Sequence, residues 1–215
     1  MRNILFDEMP EAVTVNGIIF ELNTDFRIWL KVGRLFKKIE KAKDDDKNDI
    51  FVEICELVVY KYPDDGYVIG DELLYGLMDF YKGFPDAENE HARKKKASDK
   101  DKQKPPKPPS FDFEFDSKYI YCSFVSFYGI RLQEVEYMHW WEFLTLFEGL
   151  MMSDQTSVNF VVGARQQEIK GKMPKEEKER LKRLKEQFAL PDDEETQAAH
   201  NKLTDILAKG KTETP

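Results

Sequence analysis

Cysteine is scarce in this sequence, and long apolar runs are missing. The only cysteines among 215 residues are Cys55 and Cys122, too few for a disulfide framework. Because both lie in apolar stretches, we expect reduced, buried side chains. No stretch approaches the roughly 20 apolar residues of a membrane span. Residues 1–25 carry early acids where a signal peptide would have a basic start and an apolar run. We therefore expect a soluble cytosolic protein.

The sequence also lacks a basic surplus and the common catalytic motifs. Its formal net charge is −8 and its pI ≈ 5.1, which argues against nucleic-acid binding by the whole surface. No glycine-rich phosphate loop, nucleophile elbow, zinc-binding cysteine pair or HExxH is present. His91, His139 and His200 fall in a linker, a core helix and a polar tail, and their spacing suggests no metal or acid–base partner. The sequence therefore predicts no enzyme, no cofactor and no metal site.

The first elements predicted are a β-hairpin and an amphipathic helix. In residues 12–23, Asn16 and Gly17 stand between β-branched runs and supply the two positive-φ positions of a type I′ turn. Thr24 is placed to cap the helix that follows. One face of this helix is apolar, with Ile28, Trp29, Val32, Leu35, Phe36 and Ile39.

The opposite face of this helix is uniformly basic, with Arg27, Lys31, Arg34 and Lys38. It is either a docking face for an acidic partner or a solvated face offset by the acids at 44–46.

Residues 47–62 are apolar almost all round and predict a central helix that Pro63 and Gly66 end. A third helix is predicted over 69–83.

Residues 85–110 differ from the rest in composition. They contain eight basic and five acidic residues, and four prolines close the stretch. Such a segment cannot join a core, and we interpret it as a disordered or weakly helical charged linker. Its Arg93–Lys96 run could touch nucleic acid, but neighbouring acids and the lack of interleaved aromatics favour a solvated linker.

Strict alternation of phenylalanine and acid follows in residues 111–116. Period two predicts an extended segment with three rings on one side, which either adds a strand to the hairpin or lies between helices. The spacing lacks the glycine and downstream glutamate of a calcium loop. Asp116 or Ser117 is expected to cap a helix that Gly129 ends.

The densest apolar stretch is YMHWWEFLTLFEGL, residues 137–150. Helical periodicity turns His139 inward among apolar groups and leaves Trp141 at the edge of the polar side. We interpret this stretch as core packing, with His139 a hydrogen-bonded core residue. A further helix is predicted over 156–171, and polar helices with thin apolar stripes over 174–190 and 192–210. The last of these carries Leu203, Ile206 and Leu207.

The predicted fold class is mainly α (α+β), a small N-terminal hairpin packed on a compact helical domain. Residues 1–84 form the hairpin with its helices, 85–110 the linker and 111–172 an aromatic helical core that packs with the N-terminal part as one domain. Residues 173–215 form polar, peripheral helices.

Two stretches, 15–30 and 111–150, resemble a bacteriophage family usually called the gene-product-fifteen family. The likeness rests on the Asn-Gly hairpin leading into Thr24–Arg27, the Phe-Asp-Phe run with Tyr119–Tyr121, Tyr128–Ile130 and His139–Trp141. Val161–Arg165 is a weaker echo. The resemblance implies a protein of the tail module of long-tailed phages, encoded between the major tail protein and the tape measure protein.

That position implies a tail assembly chaperone in the cytoplasm of the bacterial host. Its expected partners are the tape measure protein, the tail tube (major tail) protein and a companion small chaperone, and it could form an oligomer. Trp140 and Trp141, through exposed ring edges, are candidates for the contact, together with Arg27, Lys31, Arg34 and Lys38; both tryptophans could instead be purely structural. The alternatives are a permanent component of the virion tail, a nucleic-acid-binding regulator and an enzyme with a composite site.

Overall fold

The computed structural model describes residues 5–62, 70–84 and 110–190. They form helices and a small antiparallel sheet, which confirms the predicted fold class. The elements are β1 (Ala12–Val15), β2 (Ile18–Leu22), α1 (Phe26–Lys41), α2 (Asp44–Val58), β3 (Val59–Lys61), α3 (Asp71–Lys82), α4 (Ser117–Ser123), α5 (Trp140–Met152), α6 (Ser157–Gln166) and α7 (Lys175–Gln187). A π-helical turn, Phe124–Tyr128, continues α4 up to the left-handed Gly129. No helix in these ranges is long and apolar enough to cross a membrane.

The hairpin forms as its turn residues predict. Asn16 has φ 51 and Gly17 φ 80, and Val15 pairs with Ile18 across the turn. These positive φ angles match the right-handed twist of the two strands. The inner face of β1 packs on α3 at Gly76, where a Cβ would meet the Val15 side chain at 3.2 Å. The hairpin therefore rests on a helix, as expected for so small a sheet.

The predicted helix over 47–62 is wrong at both ends. The acids at 44–46 form the first turn of α2, where the helix dipole favours negative charge. At the other end α2 stops at Val58, and β3 pairs with β2 through Leu22 and Val59. Valine and tyrosine at 58–60 suit a pleated surface, and pairing with β2 prevails over helical continuation. The sheet thus has three strands in the order β1-β2-β3.

One backbone bridge joins the two halves of the chain at the start of two helices. The N–H of Phe26 donates to the Met138 carbonyl at 3.0 Å, and the N–H of Trp140 donates to the Thr24 carbonyl at 2.7 Å. Asp25 and His139, which lie opposite each other in this bridge, are the N-caps of α1 and α5. The prediction that Thr24 caps α1 is therefore wrong: Thr24 is buried, and its hydroxyl shares a hydrogen bond of 2.6 Å with Tyr137.

The core is built from aromatic rings contributed by both halves. Phe143 of α5 stacks on Phe26 of α1 at 4.9 Å and on Phe124 of the π-helical turn at 5.3 Å. Trp29 is fully buried and contacts Phe80 of α3 at 4.6 Å between ring centroids. These contacts place α5 in the centre of the molecule. The predicted domain boundaries themselves stay a prediction.

Residues 111–116 contain no strand, and residues 113–116 form a turn that leads into α4, so the predicted extended segment is wrong. The Asp112 carboxylate accepts the N–H groups of Glu114 at 2.8 Å and Phe115 at 3.1 Å. Such Asx hydrogen bonds favour a turn over a strand. Phe111 and Phe113 pack against the buried Phe147 of α5, whereas the Phe115 side chain is exposed. Two rings therefore face the core and the third faces outward.

A buried ion pair ties this turn to the C-terminal helices. Arg165 at the end of α6 donates to both oxygens of Asp116, at 2.7 and 2.6 Å, and the Asp116 side chain is only 1% exposed. Arg165 also donates to the carbonyls of Ser110 and Phe188. Asp116 does occupy the N-cap position of α4, but its side chain makes no cap hydrogen bond there. One guanidinium thus connects the turn, α6 and the residue after α7.

The remaining predictions are confirmed in part. Within its described portion the C-terminal region is peripheral, since Leu181 is the one buried residue of α7. The predicted helix over 192–210 and the linker up to residue 109 lie outside the described residues.

Cys55 is buried, and its burial raises the pKa of the thiol to about 12. The predicted burial of Cys122 is wrong, because α4 turns Ile120 and Ser123 inward and leaves Cys122 on the opposite side.

Substitution Asp116→Asn should destabilise the protein by about 3–5 kcal/mol, because it leaves the buried Arg165 guanidinium without its counter-charge. Urea denaturation measures the free energy of unfolding. The matched control is Lys37→Ala, which breaks the exposed Lys37–Asp112 pair and should cost at most about 1 kcal/mol. Equal losses in the two variants would contradict the structural role of the buried pair.

Candidate protein-binding surface

Both candidate tryptophans lie inside the molecule. Trp140 is 0% and Trp141 7% exposed. The Trp140 indole N–H donates to the Tyr81 carbonyl and the Trp141 indole N–H to the Phe80 carbonyl, each at 2.9 Å. Because these are carbonyls of the last turn of α3, the two rings join α5 to the end of that helix. The prediction that they present an exposed edge is wrong.

His139 is buried as predicted, but it caps α5 from outside the helix instead of lying within it. Its Nδ1 accepts the N–H of Trp141 at 3.0 Å, and its Nε2 lies 3.0 Å from the Pro10 carbonyl. Since that carbonyl can only accept, Nε2 carries the proton and the ring is the neutral Nε2–H tautomer. Both nitrogens are thus occupied by backbone groups, and the ring serves as a structural cap.

Arg27, the first residue of the predicted basic face, is bound internally. Its guanidinium pairs with Asp25 at 2.9 Å and donates to the carbonyl of Leu132 at 3.0 Å and to that of Val135. These two carbonyls belong to the segment that leads into the bridge. Arg27 therefore fixes the entry to α5 and is not a free surface charge.

The acidic turn of residues 111–116 covers the next part of the basic face. Arg34 pairs with Glu114 at 3.1 Å, and Lys37 pairs with Asp112. Burial raises the pKa of the Asp112 carboxyl, but the hydrogen bonds from Lys37 and from the N–H groups of Phe115 and Glu114 outweigh it and lower the pKa overall. An acidic partner for this face thus exists within the chain itself.

Only part of the predicted basic face is left for another molecule. Lys31 and Lys38 are exposed, and neither makes an ion pair with a residue that the structure describes. They lie two helical turns apart on α1. Two such lysines attract an acidic surface without specifying its shape, since a solvated ammonium contributes mainly to the rate of encounter.

The described residues form an open groove between α6 and α7. It has a volume of about 530 Å³ and is open to solvent. Phe160, Gly163 and Ala164 form one wall, and Leu181 and Leu184 lie on the other. Polar residues surround this apolar floor, among them Asp154, Asn159, Gln167, Glu177 and Arg180.

Two features make this groove accessible. The Phe160 side chain is 53% exposed, although it is a large ring on a helix that also packs into the core. A Cβ added at Gly163 would meet no atom within 4 Å. An apolar floor with a polar rim suits the apolar face of an amphipathic helix. Part of this groove could be anticipated from the sequence. The polar helix predicted over 174–190 has a thin apolar stripe of Leu181, Leu184 and Phe188, which predicts a helix that is only partly buried.

No group of three or more His, Cys, Asp or Glu residues within residues 5–62, 70–84 and 110–190 could hold a metal ion. Every buried side-chain nitrogen or oxygen in these ranges has a hydrogen-bond partner. The candidate protein-binding surface of the described residues is the groove, together with the exposed Lys31 and Lys38 of α1.

The cap function of His139 predicts a pH-dependent stability. Burial lowers the pKa of His139 below its usual 6.5, although the Pro10 carbonyl, Glu11 and Glu142 act in the opposite direction. The unfolded chain therefore binds the proton first as the pH falls. This stability is complete above about pH 6.5 and is lost as the pH falls towards the lower folded-state pKa.

Urea denaturation at pH 7.5 and pH 5.5 tests this expectation. The variant His139→Asn keeps a cap acceptor but cannot titrate, so its free energy of unfolding should fall less between the two pH values than that of the wild type. His91 and His200 are present in both proteins, so the comparison isolates the change at residue 139. An identical fall in the two proteins would show that His139 contributes nothing to the pH dependence.

The comparisons with known proteins agree with a phage origin. The family model described as bacteriophage Gp15 protein matches residues 5–190. A search of curated proteins found no match, and a search of solved structures found none. The match covers most of the chain, including the hairpin, the bridge, the central helix α5 and both walls of the groove. The chain therefore belongs to the bacteriophage Gp15 protein family.

Proposed function

We propose that this protein is a non-catalytic phage tail assembly chaperone. In this proposal it binds the tape measure protein transiently, in the cytoplasm of the bacterial host, before tail tube subunits polymerise around that protein. Membership of a phage protein family supports the phage part of the proposal. The tail-specific part rests on the resemblance of residues 15–30 and 111–150 to a tail-module family, and on the shape of one surface.

The observation that carries the proposal is the groove between α6 and α7. A tape measure protein is a long helical protein, and an amphipathic helix binds best where an apolar floor meets a polar rim. Phe160 and Leu184 supply apolar surface on the two walls, while Gly163 leaves room for the side chains of a guest helix. The Arg165–Asp116 pair anchors the α6 wall to the aromatic core, and Arg165 and Lys185 connect the end of α7 to that wall, which limits the cost of ordering the groove on binding.

The lysines of α1 have a second, weaker role in this proposal. Lys31 and Lys38 are exposed and unpaired among the described residues, and they would attract an acidic surface on a partner. Trp140 and Trp141 are instead part of the scaffold, because both indole N–H groups are bound to carbonyls of α3. Neither tryptophan ring is exposed, so these rings are left out of the proposed contact.

Binding of purified protein to helical tape-measure fragments from the same phage tests the proposal. Gly163→Glu places a charged side chain in open space within the groove and should weaken binding by about tenfold or more, or about 1.4 kcal/mol. Gln166→Glu adds the same charge to the same helix at an exposed position outside the groove and should bind like the wild type. Fluorescence anisotropy at two salt concentrations measures the affinities.

Three outcomes of this experiment count against the proposal. No association at either salt concentration would remove tape-measure binding. Equal affinity of Gly163→Glu and the wild type would remove the groove from the contact. Strong salt dependence that disappears in a Lys31→Glu, Lys38→Glu variant would move the contact to α1.

Mass spectrometry of purified virions distinguishes the chaperone from a permanent tail component. A chaperone leaves before the particle is complete, so we expect no peptides of this protein in the virion, at a depth where the minor tail proteins are seen. Infected-cell lysate is the positive control for detection. Peptides present in virions at a constant ratio to the tape measure protein would make the protein a structural component.

A further inference from the structure

One edge of the small sheet is open. The order β1-β2-β3 makes β1 an outer strand, and the two-residue turn makes Val15 and Ile18 its first hydrogen-bonded pair. Such pairs occur at every second residue of an antiparallel ladder, so the N–H and C=O groups of Ala12 and Thr14 point away from β2. Outside the ladder, neither residue makes a backbone hydrogen bond with another part of the described chain. The edge therefore offers two donors and two acceptors at alternate residues.

The other edge of the sheet is protected in the way that natural proteins protect sheet edges. β3 has three residues, and the register shifts between Glu21 and Leu22, which leaves Tyr60 in a bulge. Lys61 adds a charge at this edge and pairs with Glu21 at 3.8 Å. β1, in contrast, is regular over Ala12–Val15 and carries neither proline nor charge. An edge without such protection is a template for another strand.

The helix α3 lies against the inner face of β1 and has one exposed flank. Gly76 brings the helix close to the side chains of Val13 and Val15. By helical periodicity, the residues on the two sides of Gly76 differ in burial. The buried side carries Leu73, Leu77 and Phe80, and the exposed side carries Glu72, Tyr75 and Asp79. Since the core, with Phe20 of β2, lies on the buried side, the exposed side lies next to the open edge.

The position of α3 decides what kind of strand this edge can take. Paired strands lie about 4.8 Å apart, whereas packed helices need about 8–10 Å between their axes. A second copy of this protein that paired through its own β1 would bring its own α3 to about the strand spacing, because that helix lies against β1 in the same way. The two helices would clash. A strand with no helix behind it meets only the exposed flank of α3.

The side chains of this flank specify the partner further. Tyr75 is 62% exposed and presents an apolar ring to the inward-facing side chains of an added strand. Glu72 and Asp79 lie on either side of this ring, and Asp79 pairs with the exposed Lys82 at 2.6 Å. Glu72 makes no ion pair with a described residue. A lysine or arginine of an added strand therefore finds a carboxylate here, whereas an acidic side chain is repelled.

We propose that the open edge of β1 binds an extended segment of a partner protein as a fourth strand, with Ala12 and Thr14 as its hydrogen-bonding residues. The segment has β-branched side chains at alternate positions, which pack on Tyr75 and beside Val13, and a cationic side chain that reaches Glu72. Main-chain hydrogen bonds supply the affinity, and these side chains supply the specificity. This contact uses no residue of the groove between α6 and α7 and does not rest on the proposed function.

Titration of the full chain with the capped peptide Lys-Thr-Val-Thr-Val-Thr-Lys, followed by NMR chemical shifts, tests the proposal. In an extended peptide of this pattern, both valines and both lysines face the same side. We expect saturable shifts of the Ala12 and Thr14 amide resonances. The same peptide with glutamate in place of both lysines should bind at least about threefold more weakly, because its end charges are repelled by Glu72.

The variant Thr14→Pro tests the edge itself. The proline removes one of the two free donors and places a ring at the edge, so it should weaken peptide binding by about tenfold or more. Because Thr14 faces away from β2, the ladder keeps its hydrogen bonds, and an edge strand tolerates proline. The matched control is Ile19→Thr, which changes an exposed residue of the neighbouring strand and should bind like the wild type.

Thermal unfolding checks that the hairpin of Thr14→Pro is folded. If it is not, Tyr75→Ala decides, because this change leaves the strand untouched and removes the ring on which the peptide packs. Tyr75→Ala should weaken binding by about threefold or more.

Several results would overturn this strand addition. Absence of shifts at Ala12 and Thr14 up to the solubility limit of the peptide excludes it, and so do shifts confined to other residues. Equal affinities of the wild type and a folded Thr14→Pro variant place the peptide elsewhere. Dimers in sedimentation that dissociate in Thr14→Pro make the occupant a second copy. Equal binding of the glutamate peptide removes the cation from the description of the partner.

Discussion

The structure depends on one two-stranded backbone contact at which two helices begin. Residues 24–26 and 138–140 exchange hydrogen bonds of 3.0 and 2.7 Å, and Asp25 and His139 then cap α1 and α5. Because both helices start from the same bridge, the backbone hydrogen bonds fix the relative position of their first turns. The stacking of Phe26 on Phe143 follows from that position. Two of the stretches that carry the family resemblance, Thr24–Arg27 and His139–Trp141, overlap this bridge.

Charge within the chain acts mainly to hold distant segments together. The basic face of α1 was a candidate for an external partner, yet Arg27 binds the segment before α5, and Arg34 and Lys37 bind the turn of residues 111–116. Arg165 makes the same kind of connection on the other side of this turn. The exposed pairs contribute little individually, whereas the buried one is costly to break. Several charged side chains of this protein therefore connect segments of the same chain and are not left for a partner.

Local signals could be predicted from the sequence, and signals created by distant contacts could not. The Asn16-Gly17 turn, the amphipathic α1 and the stop at Gly83 each depend on residues close in sequence. The end of α2 depends on pairing of Val59 with Leu22. The turn at 111–116 is formed by local hydrogen bonds to Asp112, a signal that the alternation of phenylalanine and acid hid, and its attachment to α1 depends on the distant Lys37. The Arg165–Asp116 pair spans 49 residues, so no periodicity indicated it. In the sequence, the groove was indicated only by the thin apolar stripe of the helix predicted over 174–190, which is too narrow for a fully buried helix.

These observations distinguish a tightly packed part of the molecule from a part with exposed apolar surface. Around the bridge, aromatic rings pack against one another, and the two tryptophan N–H groups and the His139 cap have hydrogen-bond partners. Among the described residues, every buried side-chain polar atom has a partner. Beyond Arg165, in contrast, α7 buries one residue, and the Phe160 ring stays half exposed. Exposed apolar surface on an otherwise fully satisfied body is where binding energy remains available. In the proposed function this division has a use, because the fully packed part would position the groove while its exposed apolar wall supplies the surface for a partner helix.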